Sequence, residues 1–193
     1  MLPSNTDKLA RFEAVILPHL DAAYNLARWL TRHDQNAEDV VQEASVRAYQ
    51  YFDRFQGDGG RAWLLRIVRN TCYTWLKKNR PHQSAVSLDD ASLEVASNIG
   101  APDVQALADV HRELVEGALT ELAPDLREVI VLREMEQLSY KEIAVVAEVP
   151  LGTVMSRLAR ARQQLYQLLQ RRMAGPAESP SPKMVPRARG ITS

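Results

Sequence analysis

Apolar positions recur at three- and four-residue steps along most of the chain, and period-two alternation is absent. Phe12, Val15, Ile16, Leu20, Ala23, Leu26 and Leu30 form one stripe, which predicts a helix over residues 8–32. Ala37, Val40, Val41, Ala44, Ala48, Tyr51, Phe52 and Phe55 form a second, over 37–55, broken by GDGG at 57–60. Leu64, Val68, Cys72, Trp75 and Leu76 predict a third helix over 62–80, which Pro81 is expected to stop. Residues 81–103 are polar, acidic and weakly periodic, as a linker would be. Helical periodicity resumes over 104–122 with Leu107, Val110, Leu114, Ala118 and Leu122. Pro124 then opens another helix, to Met135, from the favoured first-turn position.

The stretch LSYKEIAVVAEVPLGTVMSRLARARQQLYQLLQ is the most informative. Ser139 and Glu142 make a capping box that starts a short helix with Ile143, Ala144 and Ala147 inward. Glu148-Val149 turns the chain, and Pro150 starts a long helix with Val154, Leu158, Ala161, Leu165 and Leu168 as its core stripe. The opposite face carries Thr153, Ser156, Arg157 and Arg160 near its N-terminal end. A short helix, a tight turn and a second helix with such residues form a helix-turn-helix, whose second helix enters the major groove. An ordinary helical hairpin shares the periodicity but has no need of Thr, Ser and Arg gathered ahead of a basic run. The expected fold is therefore all-α: two small helical domains, 8–80 and 104–173, joined by an acidic flexible linker, the second containing the helix-turn-helix. The tail, 174–193, is Pro/Ser-rich and is expected to be disordered.

Charge changes this picture most. The chain has 24 Lys+Arg and 24 Asp+Glu, a formal net charge of zero, yet the charges lie in blocks. Acids dominate from Asp34 to Asp58. RAWLLRIVRNTCYTWLKKNR, residues 61–80, holds six Lys/Arg and no acid, with two tryptophans and a tyrosine. No Lys or Arg stands between Arg80 and Arg112, and residues 149–173 are again purely basic. Two cationic surfaces separated by an acidic connector are expected, each aimed at a polyanion.

Composition excludes more than it assigns. With 46% hydrophobic residues the chain can pack cores, but it has no run of about 18 apolar residues for a membrane span. The N-terminal MLPSNTDKLARFEAV has early acids and no apolar core of the signal-peptide kind, so a cytoplasmic location is expected. Cys72 alone can form neither an internal disulfide nor a Cys-rich zinc site, and His19, His33, His82 and His111 lack ligand spacing. No metal or cofactor is expected. No carboxylate cluster, nucleophile–base pair or phosphate loop points to an enzyme.

Three motifs, AEDVVQEASVRAY (37–49), RAWLLRIVRNTCYTWLKKNR (61–80) and LSYKEIAVVAEVPLGTVMSRLARAR (138–162), resemble in order those of the extracytoplasmic-function (ECF) sigma factors of bacterial RNA polymerase. With their supporting helices they cover residues 10–172. The resemblance implies a first domain for core polymerase and the minus-10 element, and a second for the minus-35 element. It implies as partners promoter DNA, the clamp and flap regions of the largest polymerase subunits, and an anti-sigma factor.

Residue by residue, Asp39, Gln42, Glu43 and Val46 lie at i, i+3, i+4, i+7 opposite the core stripe, an acidic face suited to a basic helical partner. That face alone equally describes a solvated helix surface; the resemblance makes it the clamp-binding one. With Leu64, Val68 and Trp75 inward, Arg66, Arg69, Asn70, Tyr73, Lys77 and Arg80 are expected to share an outward side. Cations that track phosphates beside aromatic and amide groups suit single-strand capture. By resemblance this helix and the 56–62 loop, with Arg61, hold a flipped minus-10 base, and Phe55 and Asn70 match pocket positions. Trp63 reads as core and Cys72 as small core filler. The loop GDGGRA lacks the aromatic of many relatives, which leaves the captured base open. Thr153, Met155, Ser156, Arg157 and Arg160 are the minus-35 candidates, Met155 standing where relatives often have Arg or Lys. Arg171 and Arg172 suit either flanking phosphates or a solvated helix end. A free-standing helix-turn-helix regulator is the alternative; it needs no single-strand surface, and no dimerisation seam is evident.

Overall fold

The computed structural model of the chain describes residues 5–57, 59–83 and 102–174. Eight α-helices and no strand occur among the described residues. They are α1 (Asn5–Ile16), α2 (Leu20–Thr31), α3 (Asp34–Tyr51), α4 (Gly60–Gln83), α5 (Pro102–Glu121), α6 (Pro124–Ile130), α7 (Tyr140–Ala147) and α8 (Leu151–Met173).

The single helix expected over 8–32 is divided at Pro18, which sits in a 3-10 turn, Leu17–His19, between α1 and α2. Proline has no N–H to continue the α ladder, so the turn tightens around it. Thr31 is followed by Arg32 in the left-handed conformation (φ 67°), its N–H bonded to Arg28 O at 2.8 Å, which closes α2. Residues 52–54 of the second expected helix form a 3-10 turn, and Tyr51, placed in its core stripe, is exposed. Pro81 does not stop α4, which continues to Gln83. So close to a helix end, the bond forfeited by its missing N–H disturbs few others. Val110, expected inward, is exposed on α5.

Helices α2, α3 and α4 pack on one another with α1 across α4, burying Ile16, Leu26, Leu30, Val40, Ala44, Leu64 and Val68. The α1–α4 crossing is close: a Cβ on Gly60 would lie 2.6 Å from Val15 Cγ1. Helices α5 to α8 form the second unit around Leu119, Leu122, Val129, Leu132, Ile143, Val154 and Leu158. The α6 ladder loosens into a π turn, Val131–Met135. Ser139 and Glu142 make the expected capping box, Ser139 N donating to Glu142 Oε2 at 2.8 Å. Between α7 and α8, Glu148 takes the left-handed conformation (φ 53°, ψ 43°).

The two units also pack on each other, α4 against α7 and α2 against α6, so their buried residues form one continuous core. The linker expected over 81–103 and the tail after Ala174 lie mostly outside the described residues.

Candidate nucleic-acid interface

Helix α3 presents Asp39, Gln42, Glu43 and Val46 together on its exposed face, with Ala37, Val40, Ala44 and Ala48 buried behind them. Val46 is 54% exposed, an apolar residue set among acids. Glu43 accepts from Arg47 one turn on, which orders this face without covering it.

Below α3 an aromatic cluster supports the turn into α4. Phe52 is buried, Phe55 stacks on it at 5.8 Å, and Trp63 tilts against Phe55 at 5.0 Å. Trp63 thus packs with the core, as expected, while Phe55 is half-buried at its edge. Cys72 is fully buried, and burial pushes its thiol up to about 12, too high for a reactive thiolate.

The basic row of α4 does not all face outward. Lys77 is exposed and Arg66 is half-buried, whereas Arg69, Asn70, Tyr73 and Arg61 turn toward the second unit; the Arg80 side chain lies outside the described residues. Arg69 Nε donates to Glu128 Oε1 at 2.9 Å, and Tyr73 Oη to Glu128 Oε2 at 2.8 Å. The Arg69 guanidinium also lies 4.4 Å from the Tyr73 ring centre and donates to Asn70 Oδ1 at 3.0 Å. Asn70 Nδ2 approaches Glu148 Oε2 at 3.4 Å. Arg61 donates to Glu136 Oε2 at 2.6 Å, and Asn25 to the other oxygen of the same carboxylate. The shared outward side expected of these residues is therefore a shared face turned onto acids of the second unit. The reason is contact between the units, which no helical period encodes.

Glu128 is fully buried, and desolvation raises its pKa, opposed mainly by the charge of Arg69. The same desolvation raises Tyr73, reinforced by Glu128. Beside Glu128, Arg127 is also fully buried. Its guanidinium donates to the carbonyls of Leu119, Thr120 and Leu122, at the end of α5, and of Trp29 in α2. These include carbonyls that a helix end leaves without intrahelical partners, so one side chain caps α5 and ties it to α2. Burial lowers Arg127 to about 10, still charged at neutral pH. Neither residue was singled out in the sequence, although a charged pair inside the apolar run LREVIVL is the kind of signal that betrays buried ions.

On α8, Met155 (52% exposed), Ser156 and Arg160 form the outer row, and Thr153 is half-buried. Ser156 Oγ donates to Thr153 O at 3.0 Å. Arg157 is set apart from that row: it is half-buried against α6, 3.4 Å from Asp125, and its Nη1 is buried without a hydrogen-bond partner. Arg171 is exposed, and Arg172 pairs with Glu121 of α5. The outer row of α8 is thus open, whereas the α4 row is covered at Arg61, Arg69, Asn70 and Tyr73 and open at Lys77. Among the described residues no His/Cys/Asp/Glu group could hold a metal ion, and no helix is long and apolar enough to cross a membrane.

Residues 15–82 match the family model described as sigma-70 region 2, and residues 112–165 match that of sigma-70, region 4. The RNA polymerase sigma-H factor of Pseudomonas aeruginosa is 36% identical over 171 residues, covering 85% of this chain and 88% of the relative. The ECF RNA polymerase sigma-E factor of Escherichia coli K12 is 40% identical over 132 residues, 65% of this chain and 69% of the relative. Among solved structures, the sigma factor RpoE of Bartonella quintana, in complex with the anti-sigma factor NepR, superposes with a TM-score of 0.66 at 31% identity, covering 83% of this chain and 97% of that one. CnrH, in complex with the cytosolic domain of CnrY, superposes with a TM-score of 0.59 at 28% identity, covering 82% and 87%.

Proposed function

The chain belongs to the ECF sigma factors of bacterial RNA polymerase, and from that membership we infer how its surfaces divide the work of transcription initiation. It directs core polymerase to promoter DNA. The observation that carries the division is the pairing, in one chain, of a cationic–aromatic helix, α4, with a helix-turn-helix, α7–α8.

Asp39, Gln42, Glu43 and Val46 of α3 dock on the polymerase clamp, and the second unit meets the flap. Met155, Ser156 and Arg160, with Thr153 and Arg157 at the edge of that row, contact the minus-35 duplex through phosphates and base edges. Arg61, Arg66, Arg69, Lys77 and Arg80 track the opened strand, while Phe55, Asn70 and Tyr73 receive an unstacked minus-10 base. The units follow the boundaries 8–80 and 104–173 with 81–103 as connector. The protein works in the cytoplasm, without cofactor or catalytic chemistry of its own. An anti-sigma factor regulates it, a reading supported by the solved neighbour RpoE, which is in complex with the anti-sigma factor NepR.

The test is runoff transcription with purified core polymerase, followed by permanganate footprinting on duplex and pre-melted templates. Asn70→Ala is expected to keep polymerase binding and the closed complex but to lose strand opening on duplex. Normal opening of duplex promoters by Asn70→Ala ends the base-capture role.

A further inference from the structure

We propose that the second unit is an intramolecular inhibitor of strand capture, using Glu128, Glu136 and Glu148 in the place of DNA phosphates to hold Arg69, Tyr73, Arg61 and Asn70. The proposal rests on the assignment of those α4 residues to single-strand capture.

The contacts follow a rule. Each acid comes from the second unit, and each partner named above comes from the row or loop assigned to melted DNA. A carboxylate offers arginine two acceptor oxygens much as a phosphate does, so the pairs occupy the donors that an incoming strand requires. Lys77, farther along α4, stays exposed. The closed form therefore blocks capture while leaving a cation available for a first electrostatic approach. The α8 row of Met155, Ser156 and Arg160 is also left open. Duplex contact is compatible with closure; strand capture is not.

Backbone conformation points the same way. Non-glycine residues with positive φ among the described residues are Arg32, Gln137 and Glu148. L-residues adopt this region at a cost that glycine avoids. Two of the three send side chains across the boundary: Glu148 to Asn70, and Arg32 Nη2 to Thr120 O at 2.7 Å. Both are the left-handed caps that end α2 and α7, so the same turns that close those helices carry these side chains to the boundary. Arg157, by contrast, pairs with Asp125 inside its own unit.

The experiment uses the full chain with dyes at Gln50→Cys on α3 and Gln163→Cys on α8, both exposed, while native Cys72 stays buried. Glu136→Lys sets a cation against Arg61. Glu148→Lys, at an exposed turn, carries the test if the first variant loses helicity. Energy transfer reports opening, and anisotropy with a fluorescent single-stranded 12-mer of random sequence reports capture. If the native chain is closed about nine-tenths of the time, opening tightens apparent affinity by about tenfold. The expected result is lower transfer, tighter oligonucleotide binding, and loss of that gain when Arg69→Ala is added. Unchanged transfer in both lysine variants overturns the latch. Equal affinity of native and opened chains, with Arg69→Ala weakening both, overturns inhibition yet leaves the capture surface standing. Opened chains that bind no tighter and ignore Arg69→Ala remove the capture reading itself.

Discussion

Tyr73 of α4 donates its hydroxyl to the buried Glu128 of α6 at 2.8 Å, across the boundary between the two units. Arg69 pairs with the other carboxylate oxygen, so both oxygens of Glu128 are satisfied from α4. A buried charge so placed strongly penalises the loss of either partner, because the acid cannot turn to water.

This arrangement makes stability depend on pH through Glu128. Its pKa in the folded chain is raised by desolvation above the ordinary carboxylate value. The folded state then binds the proton more tightly than the unfolded state. The associated stabilisation is complete below the unfolded pKa and is lost as pH rises through the folded one. Glu128→Gln has no such titration, so its stability relative to the native chain is expected to rise from pH 4.5 to pH 7.5. Urea unfolding of both proteins across that range checks this, and a constant difference would falsify the assignment.

Arg127 serves four carbonyls from a fully buried position. Arg127→Ala is expected to cost about 3 kcal/mol or more, since unsatisfied buried acceptors each cost about 1–3 kcal/mol. Arg127→Lys recovers only part of this, because an ammonium lacks the planar fork that reaches several acceptors at once. Denaturant melts of the two variants give the comparison; equal stability of Lys and Ala would show that the fork is not what counts.

The α3 face predicts loss of polymerase without loss of fold. Asp39→Arg with Glu43→Arg changes only exposed positions, so helicity and melting temperature are expected to stay within a few degrees of native. Co-purification with core polymerase is expected to disappear. A folded double mutant that still co-purifies removes this face from the interface.

On α8, Met155 and Arg160 separate reading from attraction. Arg160→Ala is expected to cost about 1–3 kcal/mol at a minus-35 element if its contact is bidentate to a base. Met155→Lys adds a cation to an exposed position and is expected to steepen the salt dependence of binding by about one unit, with little sequence preference. Footprinting of holoenzyme at several salt concentrations checks both. An unchanged salt slope for Met155→Lys places this residue away from the backbone.

The helices were legible because their information is local. Apart from the exposed Tyr51, the stripes at 12–30, 37–52 and 64–72 name residues that are buried or half-buried, and the Ser139–Glu142 box caps α7 as its spacing demands. Their ends were less so: Pro18 divides a helix and Pro81 does not end one, since a proline's cost depends on which backbone bond it removes. The same periodicity places the α3 face outward, and it is exposed; of the α8 face, Ser156 and Arg160 are exposed while Thr153 and Arg157 are half-buried.

By itself, then, the sequence determined an all-α chain of two helical units, a helix-turn-helix, two separated basic blocks and the family to which these motifs belong. Tertiary structure alone decided that Arg61, Arg69, Asn70 and Tyr73 face Glu136, Glu128 and Glu148 instead of solvent. It also decided that Arg127 is a buried staple, and that Arg157 leaves the row of Ser156 and Arg160. The reason is range. Helical period and capping are set by residues three or four positions apart, whereas the partners of Arg61, Arg69, Asn70 and Tyr73 lie 55 to 78 positions away and Arg127 reaches Trp29 98 positions away, where only the packing of one unit on the other brings them together.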